Sequence, residues 1–520
     1  MQQQLRCALQ SKPLARWMSR VPALASALAL AACLGQDRGA ATPGTLTMLL
    51  PRDIRQLDPR YVSDAYGLKL TRLIFGSLTR IDPLSLETVP DLARDIQVIG
   101  DSEYRVNLRP DLHFSDGSLL DADDVIATYQ SVVDPAMQTR YASTYQRIAS
   151  VSAEGPLAVV FRLNGPHASF LTDLELPILR AEDAKRRLSV DQGDPIIGAG
   201  PYRLAERSPG VIELAPNPRW YGGTPQVPRV RMLVVHDDNT RALRLLSGAA
   251  DFTLNAVPAG LVPLFTGRAE FAVETAPGIG VTYLGINTEV PGLQDERVRR
   301  ALAHAIDRKR LIRAKLSDRA TLARSFVPRG HWAYDPDTPG YTYDPEAARA
   351  LLDQAGLRGT PRASWVLRCD SERSRVSTAR AIAAMLAEVG IQVRVRTTEN
   401  ATMLADLDRG HFELSLLQFS EVIEPHVLSW FFASDRIPGP GRTGLNRWRY
   451  RDPIVDRAFE TGRSSLDREQ RKRAYNLVQR RLAEKLPVVP LWHEDVVAVR
   501  SSRISPIEVP RDSRFTTLAR

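Results

Sequence analysis

The sequence predicts an α/β fold whose strands are joined through helices. Three observations carry this expectation. From about residue 45 to the end, segments of helical periodicity alternate with segments of strand periodicity. One stretch, 376–419, runs helix, strand, helix, strand without a break. The composition is also that of a globular chain: 25% of 520 residues are charged, and Gly (32) and Pro (36) are not in excess. That length suffices for two or more folding units and a large core.

The elements follow in order. Arg105-Val106-Asn107-Leu108-Arg109 alternates polar and apolar, as a half-buried strand does. Ser115-Asp116-Gly117 is turn chemistry. Behind it, an Asp within Asp121–Asp124 is placed to cap a helix carrying Val125, Ile126, Tyr129 and Val132. These acids are therefore expected to serve the helix terminus, not a metal or an acid/base pair. Val298, Leu302, Ala305 and Ile306 form the apolar face of another helix.

Val376, Ala379, Ile382, Leu386 and Val389 share a third helical face, stopped by Gly390. Ile391, Val393 and Val395 then alternate with Gln392, Arg394 and Arg396 in a strand. Residues 401–409 read as a helix and 412–419 as a buried strand, a crossover with expected parallel pairing. Glu421 and Glu424 thus fall just past a strand's C-terminal end, where open α/β sheets bind ligands. They also sit within LSLLQFSEVIEPHVLSWFF, an otherwise apolar run. Carboxylates in such surroundings need partners, because desolvating them costs several kcal/mol. Near the C-terminus, Ala474, Leu477, Val478 and Leu482 mark a helix, and PVVPLWHEDVVAVRS reads as two strands.

The net charge of +9 comes from scattered residues, with arginine outnumbering lysine 62 to 7. No clustered basic patch supports a nucleic-acid partner. The first 32 residues contain no acid; Arg6, Lys12, Arg16 and Arg20 precede the apolar run VPALASALALAA. This pattern predicts an export signal over 1–32. The run of 12 residues is too short to cross ~30 Å of hydrocarbon as a helix. Leu30-Ala31-Ala32-Cys33 resembles a bacterial lipobox, which implies cleavage before Cys33 and a lipid anchor on its sulfur; an ordinary signal peptide is the alternative. Residues 33–44 are then the lipidated Cys and a flexible tether. Cys369 would be the one free thiol of the mature chain, with no intrachain disulfide.

Signals for chemistry are weak. The eight histidines are dispersed, with no HExxH and no zinc-like spacing; His493-Glu494 and Glu424-Pro425-His426 stand alone. Gly198-Ala199-Gly200-Pro201 lacks the Lys and Ser/Thr of a phosphate loop and is expected to be a tight turn. No GxSxG elbow occurs. A Glu421/Glu424 acid–base pair, as in a secreted hydrolase, is the distant alternative. No cofactor is expected.

Several segments resemble the bacterial extracellular solute-binding proteins of family 5, the dipeptide- and oligopeptide-binding components of ABC importers. They include QLDPRYVSDAYGLKLTRLIFGSLTRIDP, YRVNLRPDLHFSDGSLLDADDVIATYQSVVDP, GAGPYRLAERSPGVIELAPNPRWYGG, YLGINTEVPGLQDERVRRALAHAIDRKRLI, YDPEAARALLDQAGL and YRDPIVDRAFE, in family order over roughly 45–500. The resemblance implies a two-lobed, type II periplasmic-binding-protein-like fold with two hinge strands and an extra subdomain in lobe I. Residues 45–80, 190–277 and 491–520 would form lobe I, 81–189 the extra subdomain and 278–490 lobe II. Hinges are expected near Val281–Gly285 and Val488–Leu491.

It also implies a function: capture of peptides between the lobes and delivery to ABC permease subunits, by a monomer anchored in the cell envelope or periplasm through Cys33. Other cargoes of the fold (nickel chelate, haem, opine or oligosaccharide) are the alternative. In peptide-binding relatives a W-x-x-D-x-x-D-P pattern supplies the carboxylate for the ligand's α-ammonium. Here the aligned run is Gln418 to Pro425, QFSEVIEP, so Glu421 takes the amine-binding position and Glu424 the second acid. Both are a methylene longer, and Gln418 stands where the pattern has Trp. The alternative for Glu421 is an internal partner such as Arg436 or Arg442. Tyr66, Phe326 and Trp332 are further cleft candidates from the resemblance, with core packing as the alternative for each.

Overall fold

A computed structural model describes residues 44–520 apart from Thr360 and Thr443. The expected export signal, Cys33 and the tether through residue 43 lie outside the described residues.

Two large sheets dominate. The first has seven strands in the order Phe271–Ala276, Val496–Ser501, Phe252–Leu254, Thr45–Leu50, Arg229–Val234, Val211–Pro216, Tyr202–Ser208. Thr45–Leu50 lies at its centre, parallel to both neighbours. Its Met48, Leu49 and Leu50 are fully buried, as expected of a strand covered on both faces. The helix Ala65–Ile74 is capped by Asp64, which accepts from Gly67 N, and packs Leu70, Leu73 and Ile74 into this core. The Gly198–Pro201 segment is a close backbone approach. Gly200 N donates to Ile74 O at 2.9 Å, and a Cβ at Gly198 would stand 2.2 Å from the same oxygen. Here the glycines let the segment lie against the end of that helix.

The second sheet has six strands in the order Ala320–Leu322, Val488–Glu494, Val281–Ile286, Leu414–Phe419, Ala363–Asp370, Ile391–Thr398. The crossover read from the sequence needs one correction. Ile391–Thr398 and Leu414–Phe419 run parallel but are not neighbours; each pairs with Ala363–Asp370, which lies between them. Ala363–Asp370 has the burial alternation of a strand, but its pairing partners are set at long range and left no local signal. The helix Arg373–Glu388 ends as expected, with Gly390 at φ 86°.

A third, antiparallel sheet (Ala93–Ile99, Glu103–Leu108, Ala158–Leu163, Ile148–Ala153) has its own core with the helix Ala122–Val133. Asp121 and Asp124 form a reciprocal capping box at that helix's N-terminus.

The chain passes between the two large sheets twice, from Phe271–Ala276 into Val281–Ile286 through 277–280, and from Val488–Glu494 into Val496–Ser501 through Asp495. Val281–Gly285 and Val488–Leu491 lie within the six-stranded sheet beside those passages. The two passages touch: His493 Nδ1 and Gly280 O are 3.0 Å apart, and a Cβ on Gly278 would meet Glu494 O at 2.0 Å.

Candidate ligand-binding cleft

The strand Leu414–Phe419 buries Leu414–Leu417 and comes to the surface of its sheet at Gln418 and Phe419. The chain then turns. Glu424 caps the one-turn helix Pro425–Val427, accepting from His426 N at 3.2 Å, with Pro425 at the first helical position. The helix Leu428–Phe432 follows and sinks Leu428, Phe431 and Phe432 into the core of the six-stranded sheet's lobe. Cap and apolar anchor together fix both glutamates at the lip of that lobe. A cavity of about 230 Å³ opens there, with Glu421, Ile423, Glu424, His426, Val427 and Trp430 on one wall. The opposite wall comes from the four-stranded sheet's unit: Thr144, Arg147, His167, Ser169 and Asp173.

Each glutamate has a partner, and neither partner is Arg436 or Arg442. Glu421 Oε2 accepts from Arg514 Nη2 at 3.0 Å. Arg514 belongs to the C-terminal segment packed, through Phe515 and Leu518, on the seven-stranded sheet, so this contact joins the two lobes. Its guanidinium is 3% exposed and also meets Glu175 and Asp512. Burial alone would lower the Arg514 pKa, but Glu175, Glu421 and Asp512 raise it above the ordinary arginine range. Burial pushes the Glu421 carboxyl up, yet Arg514, Arg72 and Lys69 outweigh it and hold it below the usual glutamate value. Glu421 is therefore ionised at neutral pH. Its side chain is 28% exposed and, among the described residues, Oε1 accepts no protein hydrogen bond.

Glu424 Oε1 accepts from Arg471 Nη2 at 2.5 Å, within the same lobe. Burial dominates there and raises the Glu424 pKa against the pull of Arg471. Arg436 instead stacks over Trp430, 4.5 Å from the ring centroid.

The aromatic candidates fall elsewhere. Phe326 is buried among Tyr283, Phe431 and Phe432, in the packing alternative. Trp332 is half-buried beneath the guanidiniums of Arg468 and Arg471 and meets Tyr475 edge-on. It does not line the cavity but lies behind its wall, against Arg471, the partner of the lining residue Glu424. Tyr66 packs near Phe515 and under the ammonium of Lys69, 5.1 Å from its ring. Burial lowers the Lys69 pKa to about 8, against Glu421 and Asp512.

Arg147, His167, Asp173, Arg471 and Arg514 were not legible in the sequence as cleft residues. Each lies far along the chain from the glutamates it faces and sits in no motif of its own. His426 was visible beside Glu424 but gave no signal alone.

The arrangement can hold a small polar guest between two walls; within the lining, Ser169 Oγ lies 2.8 Å from His167 Nε2, and Asp173 Oδ2 reaches that same nitrogen at 3.2 Å instead of the other ring nitrogen. Comparison with known proteins agrees. The model of bacterial extracellular solute-binding proteins, family 5 Middle, matches residues 87–437. Di/tripeptide-binding protein 2 of Pseudomonas aeruginosa is 27% identical over 487 residues, covering 87% of this chain and 90% of its own. Protein XP55 of Streptomyces lividans is 30% identical over 480 residues, 87% of this chain and 84% of its own.

Among solved structures, the oligopeptide-binding protein AppA of Bacillus subtilis, in complex with a nonapeptide, matches with a TM-score of 0.77 at 22% identity, covering 91% of this chain and 98% of that one. NikA of Brucella suis, in complex with Fe(III)-EDTA, matches with a TM-score of 0.81 at 20% identity, 91% and 99% covered. The fold is thus the two-lobed, type II periplasmic-binding-protein architecture, and the chain belongs to the bacterial extracellular solute-binding proteins of family 5.

Proposed function

We propose that this chain captures short peptides in the cavity between its lobes and delivers them to the permease of an ABC importer, performing no covalent chemistry itself. The observation that carries the reading is Glu421. It is an ionised carboxylate at the cavity wall, with one oxygen committed to Arg514 of the other lobe and the second open to a guest. A ligand ammonium on Oε1 would be answered by the same group that ties the lobes together, so binding and closure favour one another. The peptide-binding names among relatives that align over most of their length support the cargo class. At about 230 Å³ the cavity is below the ~300–1,000 Å³ of drug-sized pockets, which favours short peptides in this conformation.

Glu424 acts as a wall residue that positions Arg471 and the Pro425 turn; Tyr66 and Trp332 support the walls from behind, and Phe326 is core. The lobe partition drawn from the sequence (45–80, 190–277 and 491–520; 81–189; 278–490) is supported by a separate core under each sheet. Export under the segment 1–32 and a lipid on Cys33 would keep a monomeric receptor at the membrane beside its permease. Native mass spectrometry of protein purified without denaturation tests the cargo. A ladder of peptide masses is expected; one discrete small molecule or metal complex would overturn the peptide reading. Glycoside, ester or peptide turnover by the pure protein would overturn the binding role.

A further inference from the structure

Glu421 belongs to a charge cluster built by all three units where the lobes meet. The helix Ala65–Ile74 contributes Lys69 and Arg72, the C-terminal segment Asp512 and Arg514, and the four-stranded sheet's unit Glu175. Ion pairing within the cluster is uneven. Arg514 meets Glu175, Glu421 and Asp512, and Arg72 meets Glu175 at 3.3 Å. Among the described residues Lys69 forms no ion pair and no hydrogen bond. Its ammonium lies between two rings instead, 5.1 Å from the centroid of Tyr66 and 5.5 Å from that of Phe515. The residue is 7% exposed.

Three carboxylates, Glu175, Glu421 and Asp512, thus face three cations, Arg72, Arg514 and Lys69. The arginines cannot give up a proton. Lys69 can. Burial pulls its pKa down to about 8, with Arg72 and Arg514 adding to the fall and Glu421, then Asp512, opposing it. The relation is mutual, because Lys69 is among the cations that keep Glu421 ionised. Tyr66, the titratable group under the ammonium, is pushed up to about 12 by burial and stays neutral. A further cation beside Glu421 would leave this buried cluster with one positive charge in excess, where like charges repel strongly.

We propose that Lys69 is an internal cation whose charge a captured peptide's ammonium replaces: as the guest takes Oε1 of Glu421, the Lys69 ammonium releases its proton to solvent. The proposal rests on the peptide reading and adds a proton exchange to it. Lys69 is a positioning residue that acts through Glu421 and makes no contact with the guest. While charged, it partly satisfies that carboxylate and so sets how strongly Glu421 draws an amine. The neutral lysine is the form that favours capture, so Lys69 opposes free-amine guests below about pH 8 and ceases to oppose them above it. A guest without an ammonium leaves Lys69 charged.

Calorimetry at pH 7 in two buffers of different ionisation enthalpy, PIPES and TES, counts the protons released as Ala-Ala-Ala binds. If the guest takes Lys69 from about 8 to about 6–7, roughly 0.4–0.8 proton leaves per peptide. N-acetyl-Ala-Ala-Ala should release none. Asp512, pushed up to about 6, is already mostly ionised at pH 7, and the peptide's own amine takes protons up on binding. Lys69→Met removes the charge and keeps an apolar stem. Release should vanish, and Ala-Ala-Ala should bind about five- to ten-fold tighter at pH 7, with the acetylated peptide unchanged. Lys69→Arg, a cation that keeps its proton, should also release none and should bind Ala-Ala-Ala more weakly than the wild type. A wild type that releases no proton, or either variant releasing as many as the wild type, would overturn the proposal and leave the peptide reading standing. A folded wild type that binds neither peptide would overturn both. If neither variant folds by circular dichroism, the wild type decides alone: equal release with the free and the acetylated peptide would overturn the proposal.

Discussion

Replacing Glu421 by Gln removes one charge at the point where ligand and lobes meet. Gln keeps the length and one acceptor oxygen, so Arg514 retains a neutral hydrogen bond across the cleft along with its two other acids, Glu175 and Asp512. No buried charge is orphaned, and the loss at the interlobe contact is the difference between a charged bond (~1.5–3 kcal/mol) and a neutral one (~0.5–1.5), or about 1 kcal/mol. With that one oxygen held by Arg514, the amide nitrogen faces the ligand ammonium and the whole charge-assisted contact (~1.5–3 kcal/mol) is lost, weakening a free-amine peptide by roughly 10- to 150-fold in Kd. Calorimetry with Ala-Ala-Ala and with N-acetyl-Ala-Ala-Ala separates the two effects. The acetylated peptide cannot offer an ammonium and registers only the closure component. The expected result is a large loss for the free amine and a small one for the acetylated peptide. Equal losses would reduce Glu421 to a lobe contact, and no loss for either would remove it from the site.

Three further outcomes are expected. Gly278→Ala places a Cβ 2.0 Å from Glu494 O, where backbone meets backbone; it should lower stability by about 1–3 kcal/mol in chemical denaturation and shift the interlobe spacing seen by small-angle scattering. Asp512 is pushed up to about 6 by burial, against Arg514. Because its folded pKa lies above the unfolded value of about 4, its contribution is full below about pH 4 and is lost as pH rises through 6. On going from pH 7 to pH 4.5, wild-type urea midpoints should therefore gain on those of Asp512→Asn; an unchanged difference would refute the assignment. Asp121→Ala breaks the capping box of Ala122–Val133 and should cost about 1 kcal/mol in thermal or urea unfolding, with ligand affinity intact.

The family emerged early because its blocks lie in order along the chain, and the local elements emerged because periodicity and caps are local physics. Asp121 caps its helix, Gly390 stops Arg373–Glu388, the strand at 391–398 sits where the alternation placed it, and the strand at 414–419 falls within the buried strand read over 412–419. The pairing of those strands did not follow. Strand order is a choice among distant segments, and Ala363–Asp370 took the place between them without leaving a mark on either.

The glutamates show the same division. An apolar run containing Glu421 and Glu424 demands partners, by the cost of desolvating a carboxylate, and the sequence alone established that demand. It could not choose between Arg436, Arg442 and any other of the 62 arginines, because a long flexible cation is interchangeable until a backbone holds it in place. Tertiary structure made the choice. The C-terminal segment, packed on one sheet through Phe515 and Leu518, swings Arg514 across to the other lobe, and the packing of Arg468–Lys485 brings Arg471 under Glu424. Charge requirements are written residue by residue along the chain, whereas the identity of the answering charge depends on how separately built cores are docked.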